Sequence, residues 1–260
     1  MNVLGIETSC DETAASVVVD GRQVLSSIIS SQIAKHAPYG GVVPEIASRA
    51  HVEALPLVME QAVQESGLGW DDLDRIAVTI GPGLASSLLI GASAAKALSL
   101  RTGLPLNLVN HLEGHVYSIF LGDDAPQPED VCPYLCLLVS GGHTSLIRVN
   151  AIGDYEMLGS TIDDAAGEAF DKGATLLGLD YPGGPVIDRI AKEGDPTFHR
   201  FPRSKPDSRG DNNVLPFSFS GLKTSLKYYH QDTHYPEMSR NGLMWWPVIR
   251  KPLWMLCWTA

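Results

Sequence analysis

The 260-residue chain has no run of about 18 apolar residues and no basic-then-apolar leader at its start. Nothing in it therefore reads as a membrane span or an export signal, and the expected compartment is the cytoplasm. Cysteine is scarce: Cys10, Cys132, Cys136 and Cys257 form no CxxC pair. That excludes a cysteine zinc site or a disulfide frame and predicts reduced core thiols. Basic charge is also short, with 19 Lys and Arg against 30 Asp and Glu and a formal net charge of -11. A surface that binds nucleic acid all over is excluded, whereas a local basic patch is not. Also missing is H-E-x-x-H, and with it the general base of the zincin peptidases.

What is present is an ordinary globular composition, 44% hydrophobic and 19% charged, long enough for two lobes. Its most informative stretch is Asn110-His111-Leu112-Glu113-Gly114-His115. This follows an apolar run, Leu104 to Val109, that reads as a short buried strand, and it enters an apolar helix. With the helix begun at His111, the i,i+4 spacing stacks two imidazoles on one face, where they can share a metal ion. The plainer reading is that His111 caps the helix and His115 is a satisfied polar residue at the core edge.

Along the chain, Val3 to Ile6, Ala14 to Val19 and Gln23 to Ser30 read as strands, the first two joined by the polar turn Glu7-Thr8-Ser9-Cys10-Asp11-Glu12-Thr13 and the last two by Asp20-Gly21. A hydroxyl- and carboxylate-bearing turn between strands suits a phosphate or its metal, and it equally suits a plain hairpin turn. Pro44 to Ser66 has helical spacing, with Ile46, Val52, Leu55, Val58, Met59 and Ala62 toward the core and Pro56 expected to kink or split it. A strand, Asp74 to Thr79, leads through Gly81-Pro82-Gly83 into a small-residue helix, Leu84 to Leu100. The Gly-Pro-Gly lets backbone come close to a ligand or to a neighbouring strand.

The second half opens like the first. Tyr134 to Val139 is a strand, Ser140-Gly141-Gly142-His143-Thr144 a polar turn, and Ser145 to Val149 and Tyr155 to Ser160 are strands. This parallel predicts a duplicated α/β architecture of the actin, Hsp70 and sugar-kinase type, in two ribonuclease H-like lobes at residues 1–125 and 126–230. Bare amides at Gly141-Gly142 suit phosphate oxygens. Asp163 or Asp164 is the expected N-cap of a helix running to Lys172, and Val186 to Lys192 forms another after Tyr181-Pro182-Gly183-Gly184-Pro185, a plain turn or a nucleoside contact. Between Arg189 and Lys227, basic residues (Arg189, Lys192, Arg200, Arg203, Lys205, Arg209, Lys223, Lys227) outnumber acidic ones, as in a solvated loop or an RNA-backbone patch.

These turns, together with Pro44-Glu45-Ile46-Ala47-Ser48-Arg49-Ala50-His51, Glu168-Ala169-Phe170-Asp171-Lys172 and Phe217-Ser218-Phe219-Ser220-Gly221-Leu222-Lys223-Thr224, resemble in kind and order the bacterial tRNA N6-adenosine threonylcarbamoyltransferases, over residues 1 to about 229. The resemblance implies transfer of a threonylcarbamoyl group from threonylcarbamoyl-adenylate (threonylcarbamoyl-AMP) to N6 of the adenosine 3′ of the anticodon, in tRNAs reading codons that begin with A. It implies an iron or zinc ion on His111 and His115, and an adenylate site at Leu138, Val139, Ser140, Gly141, Gly142, Asp171, Gly184 and Asp188. Glu12 and Lys172 become candidates for placing the tRNA amine or the leaving phosphate. The implied partners are tRNA, a paralogous actin-like protein and a small P-loop ATPase.

One region departs from that family. The family continues past this point with a further nucleotide contact and a third metal ligand, an aspartate, and nothing after His230 resembles it. Residues 231–260 hold four of the five tryptophans, at Trp245, Trp246, Trp254 and Trp258, without strand or helix periodicity. We expect an incomplete second lobe followed by an atypical tail, a candidate out-of-frame read. Two alternatives to the transferase are a truncated, noncatalytic relative that keeps partner-binding surfaces and a phosphotransferase of the same fold, which the His pair disfavours.

Overall fold

Asp20 and Gly21 both take positive φ, 52° and 71°, and the Arg22 amide donates to the Val19 carbonyl at 3.0 Å. This is the two-residue hairpin turn whose twist matches the flanking strands. It joins β2 (Glu12–Val19) to β3 (Gln23–Ser31), while β1 (Asn2–Glu7) pairs antiparallel with β2 on the other side. The computed structural model describes residues 1–192, 199–202 and 214–232, and the chain divides into two units at Val131/Cys132. The division falls six residues beyond the expected 125/126, so the short helix ending at Val131 lies on the first unit's side.

The first unit continues with α1 (Ile33–His36), α2 (Pro44–Glu65), β4 (Arg75–Gly81), α3 (Ala85–Thr102), β5 (Leu106–Asn110), α4 (His111–Tyr117) and α5 (Pro128–Val131). Its sheet order is β3-β2-β1-β4-β5, with β4 parallel to β1 and β5 parallel to β4. That is an antiparallel meander extended by crossover helices, the order of a ribonuclease H-like lobe. Leu4, Ile6, Ala15, Val17, Ile76 and Val78 point to one face and pack on Leu55, Val58 and Ala62 of α2 and Ala95 of α3. By the two-residue period, Gly5, Glu7, Ser16, Ala77 and Thr79 point to the other face.

Three expectations about these elements need correction. β5 is the edge of the sheet and Leu108 is exposed, so this strand is not buried. Helix α2 is one element across Pro56. Pro56 lies on the exposed face, where water can take the carbonyl that its missing N–H leaves unbonded. Val52 is exposed too, and Ala47, Ala50 and His51 hold the buried stripe with Leu55, Val58 and Ala62.

The second unit comprises β6 (Tyr134–Val139), β7 (Thr144–Ala151), β8 (Asp154–Thr161), α6 (Ala166–Leu176), α7 (Gly183–Ala191), β9 (Leu215–Phe217) and α8 (Ser220–Asp232). β6, β7 and β8 repeat the meander of β1, β2 and β3, but β9 adds in parallel to β8 and, among the described residues, no strand pairs with the outer edge of β6. Where the first unit grows outward from its first strand, the second does not. Leu135, Leu137 and Val139, on one face of β6, are exposed, whereas Leu138 on the other face is buried. The core lies between α6, α7 and α8, around Ala169, Ile187, Phe217 and Leu226.

The expected N-cap of α6 also needs correction. Its N-cap residue is Ala165, without a side-chain bond, and the Ala166 amide donates to Thr144 Oγ1 at 2.8 Å. Asp163 turns instead to α8, accepting from the amides of Phe219 and Ser220 and the hydroxyls of Ser218 and Ser220. The core-thiol expectation also fails in part: Cys10 is exposed in the first polar turn, and Cys132 and Cys136 are half-buried free thiols. Cys257, Arg203, Lys205, Arg209 and the tail tryptophans lie outside the described residues.

Candidate functional site

The helix that carries the His pair is started by Asn110, whose side-chain oxygen accepts from the Leu112 amide at 2.9 Å. This is the cap the plainer reading gave to His111, and it leaves that imidazole for other work. One turn of α4 brings the two Nε2 atoms to 3.1 Å, with the rings edge to face at 80°. Two nitrogen ligands at about 2.0–2.1 Å from one tetrahedral ion stand roughly 3.3 Å apart. Lone pairs this close need a proton or a cation between them, so the spacing fits either one.

The other face of His111 shows what orients it. Its Nδ1 lies 3.3 Å from Glu7 Oε2 and 3.1 Å from Ser9 Oγ. Glu7 ends β1 on the face opposite Ile6, and Ser9 follows in the turn. A carboxylate on Nδ1–H fixes the tautomer that presents a bare Nε2, as the outer partners of metal-bound imidazoles do. Burial pushes the Glu7 carboxyl up, but hydrogen bonds from His111, Ser9 and Thr79 outweigh it and hold the group at about 2. His115 is shifted below 6.5 by burial first and by neighbouring His111 second, which favours its neutral, ligating form. A cleft of about 380 Å³ opens over this end of the sheet, lined by Gly5, Glu7, Ser16, Thr79, His111 and His115 among others.

Sequence reasoning offered the whole Glu7 to Thr13 turn to a phosphate or its metal but did not single out Glu7 and Ser9 as the partners of His111, although a charged residue closing an apolar strand was the available signal. Among the described residues no group of three His, Cys, Asp or Glu is placed to hold a metal, so the donors found are the two imidazoles. Glu12 opens β2, exposed and opposite Ser31 of β3. The Gly81-Pro82-Gly83 turn meets protein: a Cβ on Gly83 would fall 2.5 Å from the Ser9 carbonyl, and the Leu84 amide donates to that carbonyl.

In the second unit, α6 carries Asp171 and packs on the Ser140-Gly141 turn, while Leu138 and Val139 lie on β6 and Gly184 and Asp188 on α7. Gly167 lies so close to the Ser140-Gly141 turn that a Cβ would come within 2.5 Å of the Ser140 carbonyl. One turn further on, Asp171 Oδ1 accepts from the Gly183 amide at 2.7 Å, at the start of α7. Gly141 and Gly142 are exposed with open space at their missing Cβ, and Gly184 meets only Phe170 at 4.0 Å. Leu138 is buried, so what it can offer a ligand is backbone; Val139 is exposed. Asp188 is exposed and pairs with Lys192 at 3.3 Å.

Lys172 sits 2.7 Å from Asp164 and 2.8 Å from Glu168. Hydrogen bonds to Asp164 and then Glu168 raise its pKa, so it is a fixed cation and not a base. Lys223 shares Asp164 at 2.6 Å, which withdraws it from the expected basic patch. Arg189, Lys192, Arg200 and Lys227 remain exposed.

The chain is thus an α/β protein of two units, each opening on a strand, polar turn and strand, with a metal-compatible imidazole pair on the first and a glycine-rich turn on the second. A family model described as tRNA N6-adenosine threonylcarbamoyltransferase matches residues 23–237, and the chain belongs to that family of transferases. A relative of that name from Anaeromyxobacter dehalogenans (strain 2CP-1 / ATCC BAA-258) is 57% identical over 235 residues, 90% of this chain and 68% of its own length. One from Geobacter sp. (strain M21) is 56% identical over 243 residues, 94% of this chain and 68% of its own. Among solved structures, the activator of the 2-hydroxyisocaproyl-CoA dehydratase from Clostridium difficile aligns over 100% of this chain and 76% of its own at 13% identity and a TM-score of 0.47. YeaZ from Pseudomonas aeruginosa aligns over 61% of this chain and 64% of its own, with 16% identity and a TM-score of 0.38. No helix among the described residues is long and apolar enough to cross a membrane.

Proposed function

We propose that the protein transfers a threonylcarbamoyl group from threonylcarbamoyl-adenylate to N6 of the adenosine 3′ of the anticodon, in cytoplasmic tRNAs reading codons that begin with A. The observation that carries this reading beyond family membership is the His111–His115 Nε2 pair at 3.1 Å, with Glu7 behind His111. His111 and His115 would hold one Fe(2+) or Zn(2+), which when bound supplies Lewis-acid charge for the phosphate or carbamoyl oxygens. The substrate is an already activated mixed anhydride, so positioning and charge neutralisation matter more than a strong nucleophile. The N6 amine attacks the carbamoyl carbon, the carbon–oxygen bond to phosphate breaks, AMP leaves with the bonding pair, and the nitrogen gives up one proton to water.

In this reading the amides of Gly141 and Gly142 cradle phosphate, and Leu138, Val139 and Ser140 line the turn through backbone. Asp171 holds the Gly183 amide in place while Gly184 and Asp188 face the nucleoside. Lys172, a permanent ammonium, balances the leaving phosphate, and Glu12 orients the amine. The exposed Arg189, Lys192, Arg200 and Lys227 give the tRNA backbone a local foothold on an otherwise acidic chain. A paralogous actin-like protein and a small P-loop ATPase complete the working assembly.

The test is metal content and modified-tRNA formation by the purified chain supplied with threonylcarbamoyl-adenylate. Activity and bound metal that both disappear in His111→Ala and His115→Ala support the proposal; equal metal in wild type and variants contradicts it. One observation favours a second reading, a noncatalytic relative: among the described residues the pair has no third His, Cys, Asp or Glu ligand. Metal binding without transfer would select it.

A further inference from the structure

His51 on α2 is fully buried, with one ring nitrogen on the turn between β1 and β2 and the other on the start of β2. Nε2 lies 2.9 Å from the Cys10 carbonyl and Nδ1 2.8 Å from Thr13 Oγ1. A carbonyl can only accept, so Nε2 carries the proton and Nδ1 accepts from the threonine hydroxyl. Gln32 Nε2 also reaches Nδ1, at 3.4 Å. Gln32 Oε1 accepts from His36 Nε2 at 3.2 Å, and His36 Nδ1 accepts from the Val43 amide at 3.3 Å. Every nitrogen of both buried imidazoles is matched in the neutral form.

The turn's backbone is also held by two main-chain bonds, Leu84 N to Ser9 O at 2.8 Å and Gln32 N to Asp11 O at 3.0 Å. From α2, His51 grips the turn as well, and its two bonds straddle Asp11 and Glu12. One residue before Cys10 is Ser9, whose hydroxyl meets His111 Nδ1 at 3.1 Å and whose amide donates to Glu7 at 2.5 Å. A shift of this turn therefore moves both groups that orient His111, and Glu12 with them.

We propose that His51 is a positioning residue which, through its Nε2 bond to the Cys10 carbonyl, holds Ser9 and Glu12 in the arrangement the His111 site requires. The proposal rests on the reading of the His pair as the reacting end of the site. A residue that merely fills the core would act through stability alone, and the two nitrogens can be separated by substitution. Gln places a donor near Nε2 and gives up Nδ1; Asn places an acceptor near Nδ1 and gives up Nε2. His51→Gln and His51→Asn of the full chain would be compared with wild type by amide exchange, Zn(2+) titration and melting temperature. The Leu84 and Gln32 amides, which donate into the turn, report its opening.

Both variants should melt lower than wild type. His51→Asn should exchange those two amides about tenfold faster, as loss of a buried hydrogen bond implies, and bind Zn(2+) about 10- to 100-fold more weakly. His51→Gln should stay within about threefold of wild type on both, well inside the range an outer-partner loss covers. Equal changes in the two variants, or wild-type exchange in His51→Asn, would overturn the proposal. A wild-type chain that binds no Zn(2+) refutes the metal reading instead, and the exchange comparison then decides the clamp by itself.

Discussion

Glu7 does at the residue scale what the i,i+4 spacing of the histidines cannot do alone. Spacing puts two rings on one face, but without a partner on Nδ1 the His111 tautomer is unspecified. Glu7→Gln removes the charge and keeps the shape, so Zn(2+) affinity should fall about 10- to 100-fold, and the variant should melt lower at neutral pH because it gives up the ionised form that the hydrogen bonds favour; isothermal titration and a thermal melt of the variant check this. The buried imidazoles set a second residue-scale expectation. Burial is the first cause that lowers the pKa of both His36 and His51 below 6.5, with Asp11 opposing it in each case. The unfolded chain therefore binds more protons than the native one below that value. Their contribution to stability is complete above about 6.5 and is lost as pH falls from there toward the depressed native values. The urea midpoint should drop between about pH 7 and pH 5.5, and less steeply in His51→Leu.

At the scale of elements, one aspartate anchors a helix and two neighbouring glycines make opposite predictions. Asp163 holds the entry to α8 with four hydrogen bonds. Burial raises its pKa, but the bonds from Ser218, Ser220 and the Phe219 and Ser220 amides bring it to about 2. Asp163→Ala should cost about 1–2 kcal/mol at neutral pH. The difference from wild type should vanish as pH falls through the ordinary carboxylate range toward 2, which chemical denaturation at several pH values would show. On α7, a Cβ at Gly183 would meet Ala174 Cβ at 2.5 Å and the Phe170 carbonyl at 2.7 Å, whereas Gly184 has room. Gly183→Ala should destabilise by about 1–3 kcal/mol, and Gly184→Val should fold normally and lose affinity for a nonhydrolysable adenylate analogue. Thermal melts paired with ligand titration separate the two.

The whole molecule carries an asymmetry between its units. The first unit's opening strand has a parallel neighbour on its far side; β6, its counterpart, has none among the described residues and exposes Leu135, Leu137 and Val139. An unpaired edge with apolar side chains is a template for association. The chain should therefore self-associate with rising concentration, and Leu137→Lys should shift light scattering toward monomer. Unchanged scattering in that variant would place the association elsewhere.

The sequence by itself determined the local elements, because their causes are local. Asp20-Gly21 selects a tight hairpin turn, alternation sorts Leu4 and Ile6 from Gly5 and Glu7, and the four-residue step between His111 and His115 sets their shared face. It also carried the family, since the motifs stand in order along one chain. It misread what depends on a partner distant in sequence. Val52 fits a helical stripe as well as His51 does, yet the sheet side of α2 is decided by packing against β2 and β3. Asp163 and Asp164 were interchangeable as caps of α6 until tertiary structure sent Asp163 to α8 and put Thr144 Oγ1 on the Ala166 amide. The same holds for Glu7 behind His111, Lys172 between two carboxylates and His51 on the Cys10 carbonyl. Each is a contact between polar groups whose burial must be matched bond for bond, and only the folded register brings the matching atoms within reach.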